Sequence, residues 1–494
     1  MNTEPSKPEP QLVRGLTLTH TVALVVGTVI GTGVFLKAAI MAQAIGSPFY
    51  VLAAWLVAGL MSFAGALTYA ELGALLPRAG GEYNYLQAAY GDAPAFLYGW
   101  MRILVGSTGS IAALAAGFAA FLAAVLPVDA VWAERQFTLF GQTLTWHFGM
   151  RQLMAVGIIV VLSAINCVGV ALGGKIQTLL TALKVGGILL IVFGVFFFSK
   201  TSHAEGVAAI AGKSWNGFAA FGAAMLAALW AYEGWNQMPM VAAEVQQPER
   251  NVPRALVWGM FLVVLLYLLA NAAYVWVLPF SEIVNANSTQ FRTALPVAAK
   301  AAQTFMGPMG SQLVSIIFLV STIGALNGTI LLCARVPYAM ARDGLFFSRF
   351  ATVGESSRVP TLSIGIQAIW ASILAISGTY DQLTDYVVFA SWLFYLLVTT
   401  SVFMLRRKMP SGRPYKTPGY PYTPILFILI ASWLVLNTVR TRPVESTVGL
   451  VLITTGIPVY LFFRRNRRNA KIPPADLEEF HQHTTVSKKG TLGL

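Results

Sequence analysis

Residues 27–35 read GTVIGTGVF and lie inside an apolar run, residues 17–42, that is long enough to cross a membrane. Three glycines and two threonines within seven residues are poor helix formers. Two interpretations fit this composition. Small residues allow neighbouring helices to pack closely, or the helix breaks here and its exposed backbone N–H groups bind an anion.

A second apolar run, residues 215–245, contains the sequence WAYEGWNQ at residues 230–237. A glutamate at that depth is costly unless it has a partner, so Glu233 is either hydrogen-bonded inside the bundle or functional. This run is the sixth along the chain, five after the first. The unusually long third and eighth runs, residues 93–126 and 311–343, have the same separation. Interrupted segments at matching positions of two halves indicate an inverted-repeat transporter. Its half-helix ends would bind the anionic and the cationic group of one zwitterionic amino acid.

Composition excludes an ordinary soluble domain. Of the 494 residues, 56% are hydrophobic and only 11% are charged, and the mean hydropathy is +0.66, whereas soluble domains carry about 25% charged residues. We therefore predict an all-α integral membrane protein with about twelve transmembrane helices, the first and sixth interrupted. The predicted spans cover residues 17–42, 48–76, 93–126, 152–171, 175–199, 215–245, 254–278, 311–343, 361–377, 383–405, 423–439 and 444–463.

The distribution of basic residues predicts the orientation. Most of the 33 Lys and Arg residues fall in the segments that share a side with the N-terminus, so the positive-inside rule places both termini in the cytoplasm. The net charge of +13 is explained by this topology, and no nucleic-acid partner is expected. The histidines, cysteines and carboxylates show no metal-ligand spacing, and we expect no cofactor and no enzymatic activity.

Several motifs in matching order resemble those of the amino acid–polyamine–organocation superfamily, and most closely its L-type amino acid transporter branch. They are GTVIGTGVF (27–35), YAELGALLPRAGGEYNYL (69–86), AYGDAPAFLYGW (89–100), LWAYEGWNQ (229–237), EVQQPERNVPRAL (244–256), STIGALNG (321–328) and ARDG (341–344). The resemblance implies a five-plus-five inverted-repeat core over residues 16–405, with one repeat at 16–200 and the other at 214–405. A cytoplasmic tail, residues 1–15, would precede the core. A loop at 406–422, two further helices at 423–463 and a tail at 464–494 would follow it.

The resemblance also implies a substrate site. In similar proteins the substrate carboxylate lies on backbone amides of the first-helix motif, and the amino group faces carbonyls of the sixth-helix break. Trp230 matches the aromatic gate over the ligand, and Ser391 is a further predicted pocket residue. The predicted substrate-binding residues are Thr28, Ile30, Gly31, Thr32, Gly33, Trp230, Ala231, Glu233, Gly234 and Ser391.

Lys184 lies in the fifth span, about nine residues from the predicted cytoplasmic edge. Snorkelling to that edge would be strained. Related transporters carry a lysine here, where sodium-coupled relatives bind sodium. Its ammonium is expected to contact carbonyls near Gly27 and Thr28 and the hydroxyl of Ser321, which predicts sodium independence. Proton coupling through Lys184 or Glu233 remains an alternative.

The predicted function is sodium-independent transport of L-amino acids by alternating access, as an exchanger of neutral amino acids in the cell membrane. The alternative is a proton-coupled importer of cationic amino acids or polyamines, because Glu233 could pair with a cationic side chain. A more distant alternative is an amino acid sensor without transport.

Animal members of the branch bind a glycoprotein heavy chain through a cysteine between spans three and four. Residues 127–151 contain no cysteine, so the expected partners are amino acids and the lipid bilayer, without a disulfide-linked heavy chain.

Overall fold

A computed structural model describes residues 11–126, 130–139, 142–199, 217–288, 290–291, 294–377, 380–441 and 443–469. Helices dominate these residues. The first half contains α1 (Leu18–Val29), α2 (Gly33–Ile45), α3 (Pro48–Leu75), α4 (Glu82–Tyr90), α5 (Asp92–Met101), α6 (Ser107–Val125), α7 (Met150–Val168) and α8 (Val170–Phe198). The second half contains α9 (Gly217–Ala231), α10 (Pro248–Val277), α11 (Phe280–Val284), α12 (Val297–Met306), α13 (Met309–Cys333), α14 (Arg335–Arg342), α15 (Thr361–Ser377), α16 (Tyr380–Lys408), α17 (Tyr422–Thr441), α18 (Pro443–Thr454) and α19 (Gly456–Asn469).

Ten helical segments of the described chain are long and apolar enough to cross a membrane, and α9 and α15 are shorter apolar helices. The two segments predicted to be unusually long are indeed long: Asp92–Ala123 has 32 residues and Met309–Arg342 has 34. The first of these is not a uniform α-helix, because a π-helical turn at Arg102–Gly106 joins α5 to α6. The chain is therefore a multi-pass helical membrane protein.

The first and sixth apolar segments are each divided into two parts. Helix α1 ends at Val29, residues 30–32 turn, and α2 begins at Gly33. Helix α9 ends at Ala231, and a short 3₁₀ helix, Trp235–Met240, follows the turn at residues 232–234. Both interruptions coincide with the glycine-containing motifs, where the intrinsic helix propensity is lowest.

The interrupted first segment lies at the centre of the bundle. We compare the most apolar 18-residue window of each segment. In Leu18–Ile45, 89% of the residues in this window are buried, whereas the share is 28% in Met150–Val168 and 28% in Ser446–Arg467. Helix α1 packs against α8, α10 and α13, while α2 packs against α9. A helix that is apolar on all sides and enclosed by others forms the core of such a bundle, so both interruptions face protein rather than lipid.

A β-hairpin is present between α6 and α7, where the sequence analysis expected only a loop. Val131–Leu139 pairs antiparallel with Gln142–Gly149, and these strands are rich in the aromatic and β-branched residues that favour sheet. The Trp146 indole donates to the Ile376 carbonyl at 2.8 Å, which attaches the hairpin to the end of α15. The pairing of these strands depends on tertiary contacts, which a hydropathy pattern does not predict.

Candidate substrate site between the two interrupted helices

A small cavity of about 30 Å³ lies between the two helix interruptions. A cavity of this size holds one or two water molecules, so an amino acid needs local side-chain movement to enter. Residues from the first, third, sixth and eighth apolar segments surround it. They are Thr28, Val29, Gly31, Thr32, Gly33, Ser110, Leu114, Trp230, Ala231, Glu233, Gly234, Gln237 and Thr329.

Two glycines allow the interruptions to touch. A Cβ on Gly33 would lie 2.5 Å from the Cα of Ala231, and a Cβ on Gly234 would lie 2.9 Å from the carbonyl oxygen of Thr28. Gly234 also has a φ of +121°, which side-chain-bearing residues rarely adopt. The Thr28 hydroxyl reaches the Gly234 carbonyl at 3.3 Å. Larger residues at either position would separate the interruptions.

The carbonyl groups at the interruptions are held by Tyr267 of α10. Its hydroxyl lies 3.0 Å from the Val29 carbonyl and 2.9 Å from the Ala231 carbonyl. A tyrosine has only one hydroxyl proton, so these two acceptors share it. The Val29 carbonyl also accepts from the Gly31 amide at 2.9 Å, so the Ala231 carbonyl depends more on the shared proton.

Donors for an anion are present at the start of α2. The first N–H groups of any helix have no acceptor within that helix, and Gly33 begins α2 at the cavity wall. The positive end of the helix dipole also favours an anion there. The Gly31 amide is engaged differently, because it donates to the Val29 carbonyl at 2.9 Å.

Lys184 is completely buried, and its ammonium joins three carbonyl groups. Its Nζ donates to Gly27 at 2.8 Å, to Ile30 at 2.7 Å and to Ser321 at 2.8 Å. An ammonium has three donors, and all three are used. The predicted contact with Gly27 is present, but Ile30 rather than Thr28 supplies the second carbonyl. The Ser321 carbonyl accepts in place of the predicted Ser321 hydroxyl. That hydroxyl donates to Ile30 at 2.9 Å and to Gly31 at 3.1 Å, because it points at the same helix end.

The Glu233 carboxylate lines the cavity and accepts a hydrogen bond from the Tyr395 hydroxyl of α16. Tyr395 in turn packs against Tyr69 and Trp235. The carboxylate is therefore held by a residue that does not line the cavity, and it keeps lone pairs for a second donor.

Five predicted site residues are not part of the cavity wall. They are Ile30 and Ser391 of the predicted substrate-binding set, and Gly27, Lys184 and Ser321 of the predicted sodium-replacing set. Gly27 and Ile30 present their carbonyls to Lys184. Ser391 is buried, and its hydroxyl has no hydrogen-bond partner among the described residues. It does not contact the space between the interruptions.

The sequence analysis did not identify Glu82, which is the centre of a buried cluster behind the sixth-helix turn. Its carboxylate accepts from Tyr69 at 2.6 Å, from Tyr98, and from the Asn236 amide at 3.2 Å. Glu82 was part of the family motif at residues 69–86, but no pattern in that motif predicted that two tyrosines and the distant Asn236 would meet at its carboxylate.

The predicted cytoplasmic face contains buried ion pairs. Arg335 forms a two-pronged contact with Glu244, at 2.7 and 2.9 Å, and both side chains are at most 1% exposed. Glu71 binds Arg406 at 2.6 Å and Arg413 at 2.7 Å. Burial lowers the pKa of the Arg413 guanidinium, which lies in the loop after α16, and the Glu71 carboxylate acts in the opposite direction. Such planar pairs are among the stronger polar contacts in proteins, so they fasten these helices and the loop after α16 to one another.

A sequence profile described as amino acid permease matches residues 16–463. The chain belongs to the amino acid permease family. A serine/threonine exchanger of Bacillus subtilis is 32% identical, over 92% of this chain and 98% of its own length. A human b(0,+)-type amino acid transporter is 30% identical, over 92% of this chain and 88% of its own. The human cystine/glutamate transporter is 28% identical, with coverages of 93% and 87%.

Membership of the amino acid permease family makes this chain an amino acid transporter of the amino acid–polyamine–organocation superfamily. Its relatives are transporters rather than enzymes. Both of its cysteines, Cys167 and Cys333, are free thiols, and the comparisons give no support for a disulfide-linked heavy chain.

Proposed function

We propose that this permease is a sodium-independent exchanger of neutral L-amino acids. It works by alternating access in a five-plus-five inverted-repeat core, in the cell membrane and with both termini cytoplasmic. The observation that carries the proposal is the Lys184 ammonium, which satisfies the carbonyls of Gly27, Ile30 and Ser321. A tethered cation at this point removes the need for a diffusible one.

The substrate is proposed to bind across the two interruptions. Its carboxylate would lie at the start of α2, on the amides around Thr32 and Gly33. Its ammonium would face the carbonyls of Trp230, Ala231 and Glu233, where Tyr267 cannot fully satisfy the neighbouring acceptors. Trp230, which lines the cavity, would act as the gate.

A neutral side chain suits the lining. Glu233 is the acidic residue among the described residues of the cavity wall, and its carboxylate already accepts a hydrogen bond from Tyr395. The bacterial relative is named as a serine/threonine exchanger, which supports both the substrate class and the exchange mode. Exchange requires that the empty carrier reorients slowly. This would be the case if the ion pairs at Glu71 and Glu244 separate only when substrate is bound.

A second candidate is a proton-coupled importer of cationic amino acids or polyamines. The observation in its favour is the Glu233 carboxylate, which borders the cavity and can accept a further donor from a cationic side chain. In this case protonation of Glu233 or Lys184 would accompany transport.

Radiolabelled uptake into sodium-free proteoliposomes separates the candidates. Serine, alanine, leucine and arginine are tested with vesicles that are empty or preloaded with amino acids, with and without an inward proton gradient. The exchanger predicts serine or alanine uptake that requires preloading. Uptake of arginine into empty vesicles, driven by the proton gradient, would favour the second candidate. Saturable binding without any flux would indicate a sensor.

A further inference from the structure

A second, larger cavity of about 230 Å³ lies between the π-helical turn at Arg102–Gly106, the start of α14 and helix α15. Its walls are mainly apolar and include Ile103, Val336, Phe346, Ile366 and Trp370. An apolar cavity of about 150 Å³ can bind benzene, so this one holds a larger apolar group. It does not share a lining residue with the cavity between the interruptions.

Three buried polar atoms on residues that line this cavity have no hydrogen-bond partner in the described chain: Arg102 Nε, Ser107 Oγ and Ser363 Oγ. Their side chains are at most 3% exposed. Buried polar atoms in native proteins nearly always have partners, and leaving one unpaired is unfavourable. Three such atoms at one cavity indicate a ligand that supplies acceptors.

Arg102 is the charged residue in the wall of this cavity. Its guanidinium donates to the Cys333 thiol at 3.1 Å. The Glu82 and Glu233 carboxylates act on it electrostatically, but none of the ion pairs among the described residues includes it. Its Nε–H group is therefore left without an acceptor, and an anionic acceptor would form a charge-assisted hydrogen bond with it.

The surroundings indicate how such a ligand would enter. Ile366 and Trp370 are 42% and 37% exposed on the outer surface of α15, so the cavity lies just beneath a surface that faces lipid. The Trp370 indole donates to the Leu104 carbonyl at 2.9 Å, within the π-helical turn. A ligand chain could extend past these two residues into the bilayer.

The depth of Arg102 distinguishes two kinds of anionic lipid. Ten residues separate Arg102 from Asp92 at the start of α5, which corresponds to about 15 Å along a helix. A phospholipid phosphate stays near the headgroup level, whereas the carboxylate of a single-chain lipid can reach deeper.

We propose that this cavity binds a long-chain fatty acid. The carboxylate accepts from Arg102 Nε and from the hydroxyls of Ser107 and Ser363. The first part of the acyl chain fills the apolar space, and the rest extends between Ile366 and Trp370 into the bilayer. This site is separate from the amino acid site and does not depend on the substrate proposed above.

Photolabelling of the full-length protein in nanodiscs tests the proposal. The probe is a fatty acid with a diazirine in its chain, competed by unlabelled palmitate, and the labelled peptides are mapped by mass spectrometry. A phosphatidylglycerol with the same diazirine chain is the parallel probe. We expect fatty acid labelling at Ile103, Val336 or Ile366 that palmitate removes. Labelling of these positions by the phospholipid alone would overturn the proposal, as would labelling spread evenly over all lipid-facing helices.

Two variants and one control make the test specific. Val336→Phe fills the cavity and should reduce cavity labelling at least fivefold. Ser363→Ala removes one donor to a charged group and should raise the palmitate concentration for half-competition about tenfold. Ile316→Phe adds the same ring to the exposed surface of the same long segment, where Ile316 is 59% exposed, and should change neither. Equal labelling and competition in Ser363→Ala and wild type would refute the carboxylate placement, even if Val336→Phe does not fold.

Discussion

Replacing Lys184 by methionine removes the ammonium that joins the end of α1 to α8 and α13, while keeping most of the side-chain stem. Three carbonyls lose a donor, but they are affected unequally. The Ile30 carbonyl keeps the Ser321 hydroxyl at 2.9 Å. Ser321 lies within α13, where backbone N–H groups satisfy carbonyls. The Gly27 carbonyl lies in the last turn of α1, where no N–H of that helix replaces the lost donor.

The expected loss of free energy comes mainly from the Gly27 carbonyl. Leaving a buried acceptor unsatisfied costs about 1–3 kcal/mol. Burying a charged lysine is itself unfavourable. Removing the charge therefore offsets part of the loss in the free energy of unfolding, and we expect the variant to fold. The free energy that holds the first interruption in its conformation should nevertheless fall. If that free energy contributes to the exchange step, a loss of 1–3 kcal/mol lowers the rate by roughly 5- to 150-fold.

The assay is serine exchange in proteoliposomes, with thermal unfolding in detergent as the test for folding. Lys175→Met is the matched control, because Lys175 is an exposed lysine on the same helix. We expect the control to exchange at the wild-type rate and Lys184→Met to lose at least fivefold. Wild-type exchange by a folded Lys184→Met protein would refute the assigned role of the ammonium.

Four further changes probe the site. Gly33→Val should abolish binding, since its Cβ would lie 2.5 Å from the Cα of Ala231; normal serine affinity in a folded variant would contradict the carboxylate placement. Tyr267→Phe should weaken binding about tenfold or less, because one hydroxyl serves two carbonyls; unchanged affinity would show that these carbonyls do not need it. Glu233→Gln should selectively weaken cationic substrates if its carboxylate recognises charge, and an equal loss for serine and arginine would make its role structural. Glu71→Gln should increase thiol labelling of engineered cysteines on the predicted cytoplasmic side, because it weakens the pairs with two arginines; unaltered labelling would argue against a gate.

The helical architecture could be predicted because it depends on local composition. The glycine and threonine residues between positions 27 and 33 indicated where the first interruption would lie. In the structure, α1 ends at Val29. Glu233 and Gly234 placed the second, and α9 ends at Ala231. The lengths of the third and eighth segments followed from long, mainly apolar runs of sequence.

The partners of the polar groups could not be predicted, since they come from distant parts of the chain. Tyr267 is one tyrosine in an apolar helix, and only packing shows that it lies between Val29 and Ala231. Glu82 meets Asn236 from a segment more than 150 residues away. The contact of Lys184 with the carbonyl rather than the hydroxyl of Ser321 is likewise decided by the local orientation of α13.

Efflux of labelled serine from preloaded proteoliposomes, in sodium-free buffer of equal pH on both sides, tests sodium-independent exchange. An exchanger releases serine slowly into buffer and at least tenfold faster when unlabelled serine is added outside, with no further effect of sodium. Fast efflux into empty buffer, unaffected by external serine, would contradict exchange. Efflux that requires sodium would contradict the role assigned to Lys184.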